Sequence, residues 1–333
     1  MSKNLDQLVS PLEPVIRHAS SRLVVSEQAP PMRGLLADFL HGLADGTRPL
    51  RLPSPAGEWV ARGDGHFHLA PELFLQVAGW TRFRFPHGEL LLGPGEALVM
   101  PPKLLHAERV GTGEDGTLFC NIVVYAEGTT LICHVAHEEA PGTPGILHLE
   151  ARHHAQAQSI HDWLADAAKL GRASVARADA GEALDCAAIQ ARALVVAATA
   201  GVLRLLDDPA ADPRQEPPLV ARVRVLIQNQ LGDHQLSVRR LAEQSGCTAD
   251  YLSHVFSQAT GEHLAGFINR QRMERATRLL SESGLAGKEV AWACGFATQS
   301  YFIRTFRAHF GMTPKVWRAG RGEGAGAAVP AAV

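Results

Sequence analysis

The sequence predicts an α+β chain in two domains. The N-terminal one is a β-barrel of jelly-roll type followed by a helical linker; the C-terminal one is all-α and built from two helix-turn-helix units. Three observations predict this. One residue pattern occurs twice near the C-terminus, about fifty residues apart. Short apolar runs punctuated by glycine and proline fill the first 150 residues. Charge divides unequally between the two halves.

The first copy of the pattern holds Ala242 and Gly246, then Thr248, Tyr251, Phe256 and Gly261; the second holds Ala291 and Gly295, then Thr298, Tyr301, Phe306 and Gly311. A repeated helix, glycine turn, capped helix and stop is what two helix-turn-helix units require. In the first copy Ser237 caps a helix whose apolar side carries Val238, Leu241 and Ala242. Ala242 is small where two helices must approach. Gly246 ends that helix without a Cβ clash, and Thr248 caps the next one. Tyr251, Leu252, Val255 and Phe256 fall at helical spacing and are expected to be its buried face. The second copy repeats this with Val290 and Ala291, then Gly295, Thr298, Tyr301, Phe302, Thr305 and Phe306.

Positions left over on the second helix of each unit are free to meet a DNA groove. Early positions of such a helix reach base edges, while helix N-termini hold phosphates. The candidate DNA-binding residues are Thr248, Asp250, Ser253 and His254 in the first unit, and Thr298, Gln299, Ser300, Ile303, Arg304 and Arg307 in the second. Gln299 suits adenine and Arg304 suits guanine in the major groove, and either also suits phosphate. The first unit offers fewer donors and carries Asp250, which repels phosphate, so weaker base reading is expected there.

Residues 219–319 resemble the DNA-binding domain of AraC/XylS-type bacterial transcription regulators. The resemblance rests on Gly295-Phe296-Ala297-Thr298-Gln299-Ser300-Tyr301-Phe302, Phe306, Phe310-Gly311 and Thr313-Pro314, and on the connecting helix around Arg272–Ala276 and Leu279-Leu280. It implies that this helix holds both recognition helices for successive major grooves. It further implies a sequence-specific regulator acting near a promoter, in the company of RNA polymerase. Ile303 is apolar where a polar residue is common, which suits a thymine methyl, and Trp292 replaces a smaller residue.

Charge agrees with the assignment. Residues 219–319 carry 13 Lys and Arg against 7 Asp and Glu, whereas residues 1–218 carry 18 against 26. A basic module beside an acidic one fits a phosphate-binding half attached to something that avoids DNA. The first 30 residues carry no extended apolar run, and Ala193–Leu203, bounded by Arg192 and Arg204, is too short to span a membrane. Five scattered cysteines without paired spacing fit reduced thiols. A cytoplasmic location with no membrane partner is expected.

Before residue 150 the apolar runs are Trp59-Val60, Leu73–Ala78, Arg82–Phe85, Glu89–Leu92, Ala97–Met100, Leu118–Tyr125 and Ile146–Leu149. Alternation in Thr81–Phe85 marks a strand with one wet face. Pro86-His87-Gly88 and Gly93-Pro94-Gly95 read as hairpin turns. Many short strands at this spacing predict a sandwich or jelly-roll barrel.

Within this region His66-x-His68-x3-Glu72-x6-Gly79 is followed by Gly95-x5-Pro101-x4-His106. Alternation places His66 and His68 on one face of a strand. The two stretches resemble both motifs of the cupin barrel, a sensor domain that such regulators carry at the N-terminus. The resemblance implies an interior cluster of His66, His68, Glu72 and His106. That cluster either lines a pocket for a small-molecule effector or holds a divalent transition metal. Lys103 stands where the cupin motif has a glycine, which is expected to alter the turn presenting His106.

Helical spacing returns at Gln156–Leu170 and at Glu182–Leu206. The second helix carries an apolar stripe of small residues (Leu184, Ala188, Ala191, Leu194 or Val195, Ala198, Val202, Leu205) that suits helix packing between subunits. The expected organisation is a cupin-like sensing domain over residues 1–150 and a helical dimerisation region over 151–206. A linker over 207–218, the DNA-binding domain over 219–319 and a disordered tail over 320–333 complete it. The expected function is a homodimeric, effector-responsive DNA-binding regulator and not an enzyme, with no catalytic residue. The alternative is a metal-dependent cupin sensor or enzyme fused to a DNA-binding domain.

Overall fold

The computed structural model describes residues 32–53, 63–178, 186–208 and 216–321. Trp59-Val60, Leu184, residues 209–215 of the expected linker and the expected disordered tail beyond Arg321 lie outside the described residues.

The N-terminal half comprises α1 (Met32–Asp45), β1 (Leu50–Arg51), β2 (Glu72–Ala78), β3 (Trp80–Phe85), β4 (Gly88–Leu92), β5 (Ala97–Met100), β6 (Ala107–Gly111), β7 (Cys120–Glu127), β8 (Thr130–Ala140) and β9 (Thr143–His153). These strands form a six-stranded sheet in the order β1-β5-β2-β7-β8-β9 and a three-stranded sheet in the order β4-β3-β6. Two open sheets stand where a sandwich or jelly-roll barrel was expected, giving a β domain without a closed barrel. The difference lies in the turns. Pro86-His87-Gly88 does join a hairpin, since β3 and β4 pair antiparallel. Gly93-Pro94-Gly95 instead carries the chain from β4 in the small sheet to β5 in the large one.

Both faces of the large sheet are covered, and β2 shows why its residues read as a continuous apolar run. Leu73 and Leu75 point to one core with α1 and the two helices that follow the sheets. Phe74 points the other way and meets Phe83 of the small sheet edge-to-face at 5.0 Å. With a side-chain period of 2, Glu72, Phe74 and Gln76 share that inner face. Register extends it across the sheet, because Glu72 pairs with Tyr125, Phe74 with Val123 and Gln76 with Asn121.

Helix α1 was missing from the sequence reading, yet its signal is present: Leu36, Phe39 and Leu43 recur at helical spacing and are buried. The two longer helices are α2 (Ala157–Ala178) and α3 (Cys186–Asp207). They match the expected helices, but α3 overturns the reading of its stripe. Ala191, Val195, Ala198, Val202 and Leu205 are fully buried in the chain's own core with α1, α2 and the sheet. Small residues there permit close packing within one subunit. Helix α3 runs to 22 residues and is the one described helix long and apolar enough by composition to cross a membrane.

The C-terminal half comprises α4 (Pro218–Gln230), α5 (Val238–Gln244), α6 (Ala249–Thr260), α7 (Leu264–Glu282), α8 (Gly287–Ala293), α9 (Gln299–Phe310) and α10 (Pro314–Arg321). Helices α5 and α6 form one helix-turn-helix unit and α8 and α9 the other, with α7 between them. Each unit has its own core. Leu241, Leu252 and Phe256 belong to the first; Val290, Phe302 and Phe306 belong to the second.

Candidate DNA interface and ligand pocket

The recognition helices start where their residues dictate. Thr248 Oγ1 accepts the Tyr251 N–H at 3.3 Å, and Thr298 Oγ1 accepts the Tyr301 N–H at 3.3 Å. A threonine cap of this kind contributes about 1 kcal/mol. The turn before α9 is the tighter of the two. Gly295 has φ 74°, and a Cβ there would lie 2.4 Å from Leu231 O. No side chain fits, which accounts for the glycine in the repeat.

Not every residue of the repeat is buried. Leu252, Phe256, Phe302 and Phe306 are, but Tyr251 and Tyr301 are 56% and 52% exposed and Val255 and Thr305 are only partly covered. Each tyrosine sits three residues past its cap, in the first turn of its helix. Tyr301 leans on Phe296 at 5.9 Å and carries the Arg304 guanidinium 5.6 Å from its ring centre. Asp250, His254, Gln299, Ser300, Ile303, Arg304 and Arg307 are all exposed, as are the caps Thr248 and Thr298. Ser253 is half-buried and returns its hydroxyl to Ala249 O at 2.8 Å. The outer faces of both recognition helices are thus open.

In the N-terminal half the four expected ligand-like residues do come together. His66 lies outside regular strand and forms an isolated antiparallel bridge with His106. Gly65 permits it: its φ is 102°, and a Cβ would lie 1.9 Å from His106 O. The His66 ring centre is 4.8 Å from that of His68 and 4.6 Å from that of His106. One nitrogen from each of the three rings falls within 4.8 Å of the others. Glu72 Oε1 is 3.4 Å from His68 Nε2, and Glu72 Oε2 is 4.0 Å from His106 Nε2.

Lys103 does not disturb the turn. It is the one described non-glycine residue with a positive φ, at 68°, so it adopts the conformation a glycine would supply. The left-handed geometry costs about 1–2 kcal/mol. Its own N–H donates to His68 O at 2.7 Å, which offsets that cost and fixes the turn beside the cluster.

A fifth residue joins the cluster. Glu108 on β6 places Oε1 3.7 Å from His106 Nε2. It escaped the sequence reading, although it lies two residues beyond His106 and alternation puts both on one side. Electrostatics here are dominated by burial. Burial holds the His106 imidazole down at about 4 and His66 and His68 well below the usual histidine range. Burial pushes Glu108 up to about 7, and burial with the nearby Glu108 pushes Glu72 well above the carboxylate range.

His106 Nδ1 lies 2.9 Å from Leu104 O, so Nδ1 carries the proton and Nε2 keeps a lone pair. His106 Nε2, His68 Nε2 and Glu72 Oε2 are buried without a hydrogen-bond partner. Three imidazoles and two carboxylates with free lone pairs fit a divalent transition metal. The same atoms fit a polar organic ligand. His66, His68, Glu72 and Glu108 line a cavity of about 100 Å³ together with Asn121, Tyr125 and His134, while the fully buried His106 does not reach its wall. Asn121 Oδ1 is likewise buried and unpartnered. Trp80 and Phe83 contribute no wall to it, whereas Phe74 does.

Comparison with known proteins bears on the C-terminal half. Residues 241–320 match a family profile described as a helix-turn-helix domain. Over 171 residues the chain is 30% identical to the transcriptional activator NphR of a Rhodococcus species, covering 50% of each chain. Over 83 residues it is 35% identical to the uncharacterized HTH-type transcriptional regulator YijO of Escherichia coli K12, covering 25% of this chain and 29% of that one. The chain therefore spans half or less of the length of these relatives. Among solved structures, the C-terminal domain of AraT, a response regulator from Geobacillus stearothermophilus, is 31% identical. It covers 32% of this chain and 88% of that one, with a TM-score of 0.32.

Proposed function

We propose that the chain carries the DNA-binding domain of the AraC/XylS-type transcription regulators and is a regulator, acting as an activator, whose DNA affinity responds to a small-molecule effector held between its two sheets. The observation that carries the DNA half is the pair of capped recognition helices with open outer faces, joined by α7. The candidate contacts are Thr248, Asp250, Ser253 and His254 from the first unit, and Thr298, Gln299, Ser300, Ile303, Arg304 and Arg307 from the second. The effector reading rests on the cluster of His66, His68, Glu72 and His106, to which Glu108 is added; all of these but His106 line one cavity together with Asn121.

On this reading residues 1–150 form a cupin-type sensor, 151–206 a helical region and 219–319 the DNA-binding domain. The protein works as a homodimer in the cytoplasm and meets RNA polymerase at a promoter. Since the small-residue face of α3 is used internally, the dimer contact lies elsewhere. The relatives are named as transcription regulators, which favours a binding role for the pocket over catalysis.

Selecting bound duplexes from a random pool and footprinting them with the full chain tests the DNA reading. We expect protection of two segments about 10 base pairs apart per chain, and a repeated pair of segments for a dimer. A lack of sequence preference would sink the assignment; a single pair would leave a monomeric regulator.

The unpartnered Nε2 atoms favour a second reading of the same pocket, in which a divalent metal is held by His66, His68, His106 and Glu72. Bound there, the metal would supply a positive charge for an anionic or hydroxylated effector.

A further inference from the structure

The segments that carry the histidines have two sides. His66 and His68 turn into the cluster, and Phe67 between them turns out, buried at 3% exposure in the core of the second helix-turn-helix unit. Leu105, next to His106, enters the same core alongside Met273, Ala276 and Phe296. The buried Arg275 of α7 sits 4.3 Å from the centre of the Phe67 ring and donates to Phe67 O and to Ala293 O. The second unit is therefore packed on the backs of the residues that face the ligand cavity.

A second approach comes from α4. Arg222, Val225, Leu226, Gln228 and Asn229 line the same cavity as Glu72, Asn121 and His134. Arg222 Nη2 holds Glu139 of β8 at 3.2 Å, while its Nε is buried without a hydrogen-bond partner. Two more ion pairs close the contact. Arg278 of α7 pairs with Glu127, whose other oxygen accepts the Tyr125 hydroxyl. Lys103 Nζ reaches Glu282 at 2.8 Å.

We infer that the DNA-binding half is the lid of the ligand pocket: α4 supplies one wall, and opening the pocket and releasing the DNA-binding half are one movement. Arg222, Leu226 and Asn229 are then ligand-contacting residues, and Arg222 Nε–H is a donor for an oxygen acceptor on the ligand. A cavity of about 100 Å³ is small beside ordinary ligand sites of roughly 300–1,000 Å³. On this reading a ligand of ordinary size is accommodated by an outward movement of α4. Any ligand with different affinity for the docked and released states shifts the placement of both recognition helices. This inference rests on reading the cavity as the effector site, but its test needs no effector.

The test is carbethoxylation of the full chain by diethyl pyrocarbonate, followed peptide by peptide by mass spectrometry. His134 on the cavity wall is compared with the exposed His87. In the wild-type chain His134 is expected to react far more slowly than His87. Arg222→Glu combined with Arg278→Glu puts like charges across two of the ion pairs, and should raise the His134 rate roughly fivefold or more. Adding Glu139→Arg and Glu127→Arg restores opposite charges and should return the rate toward the wild-type value, which separates undocking from misfolding. A wild-type His134 as reactive as His87 would overturn the lid, as would a rate unmoved by charge reversal. Were His68→Ala and Glu72→Gln to leave the regulatory response intact, the effector reading would fall while a protected His134 kept the lid.

Discussion

Arg304 illustrates what one side chain contributes on an open helix face. It extends from α9 over Tyr301, whose ring supports the guanidinium without burying it. A bidentate contact from such an arginine to guanine would be worth about 1–3 kcal/mol of discrimination. Arg304→Ala is therefore expected to weaken binding to a selected site roughly tenfold or more and to relax preference at one base pair. A uniform loss across all sequences, measured by competition binding, would make Arg304 a phosphate contact instead. The histidine cluster makes a separate prediction at this scale. If the free Nε2 atoms hold a metal, elemental analysis finds it bound stoichiometrically in wild-type protein and lost from His66→Ala/His106→Ala. No metal in either protein leaves an organic pocket, with Asn121 Oδ1 and Arg222 Nε as its free polar partners. Lys103 belongs here too. The sequence marked it as a departure, and only the backbone showed that a lysine takes the left-handed turn at that position.

Among the elements, α1 is tied to two others through the polar contacts of a single residue. Arg33 donates to Glu150 of β9 at 2.8 and 3.0 Å, to Asp207 at 2.6 Å and to Leu206 O at 2.7 Å. It thereby ties α1 to the sheet and to the end of α3. Burial alone would push the Glu150 carboxyl up, but the Arg33 hydrogen bonds and charge bring it below its ordinary value of 4.5. A carboxylate lowered in the folded state contributes stability above its unfolded pKa and loses it as pH falls through the folded value. Arg33→Ala should cost about 1–2 kcal/mol at pH 7. In urea unfolding the gap from wild type should narrow below about pH 4.5, and a gap independent of pH would remove the ion pair as its cause. The helix-turn-helix elements were legible because capping threonines, turn glycines and buried phenylalanines are local signals repeated twice. Helix α1 carries its helical spacing of Leu36, Phe39 and Leu43 in a single copy, with no repeat to mark it. The inward face of α3 shows the converse. Its small residues fit an interface between subunits as well as a core within one, and sequence spacing alone does not distinguish them.

For the whole molecule, the acidic N-terminal and basic C-terminal halves are joined by more than a linker. Phe67, Leu105, Arg275, Arg278 and α4 put the two halves into one packed contact around the cavity lined by His66, His68 and Glu72. Charge opposition suits this arrangement, since Glu127 and Glu139 of the acidic half meet Arg278 and Arg222 of the basic half. The recognition faces stay outside that contact, so docking can alter where the helices are held without covering them. By itself, the sequence determined the two helix-turn-helix units, their caps and turns, and the positions of most strands. Each of these is written in short-range spacing that a period of 3.6 or 2 converts directly into a face. Tertiary structure alone decided that the strands make two open sheets, that Glu108 completes the cluster, that the α3 stripe faces inward, and that Phe67 and α4 bind the halves together. Those outcomes depend on contacts between residues far apart in the chain, for which local periodicity carries no signal.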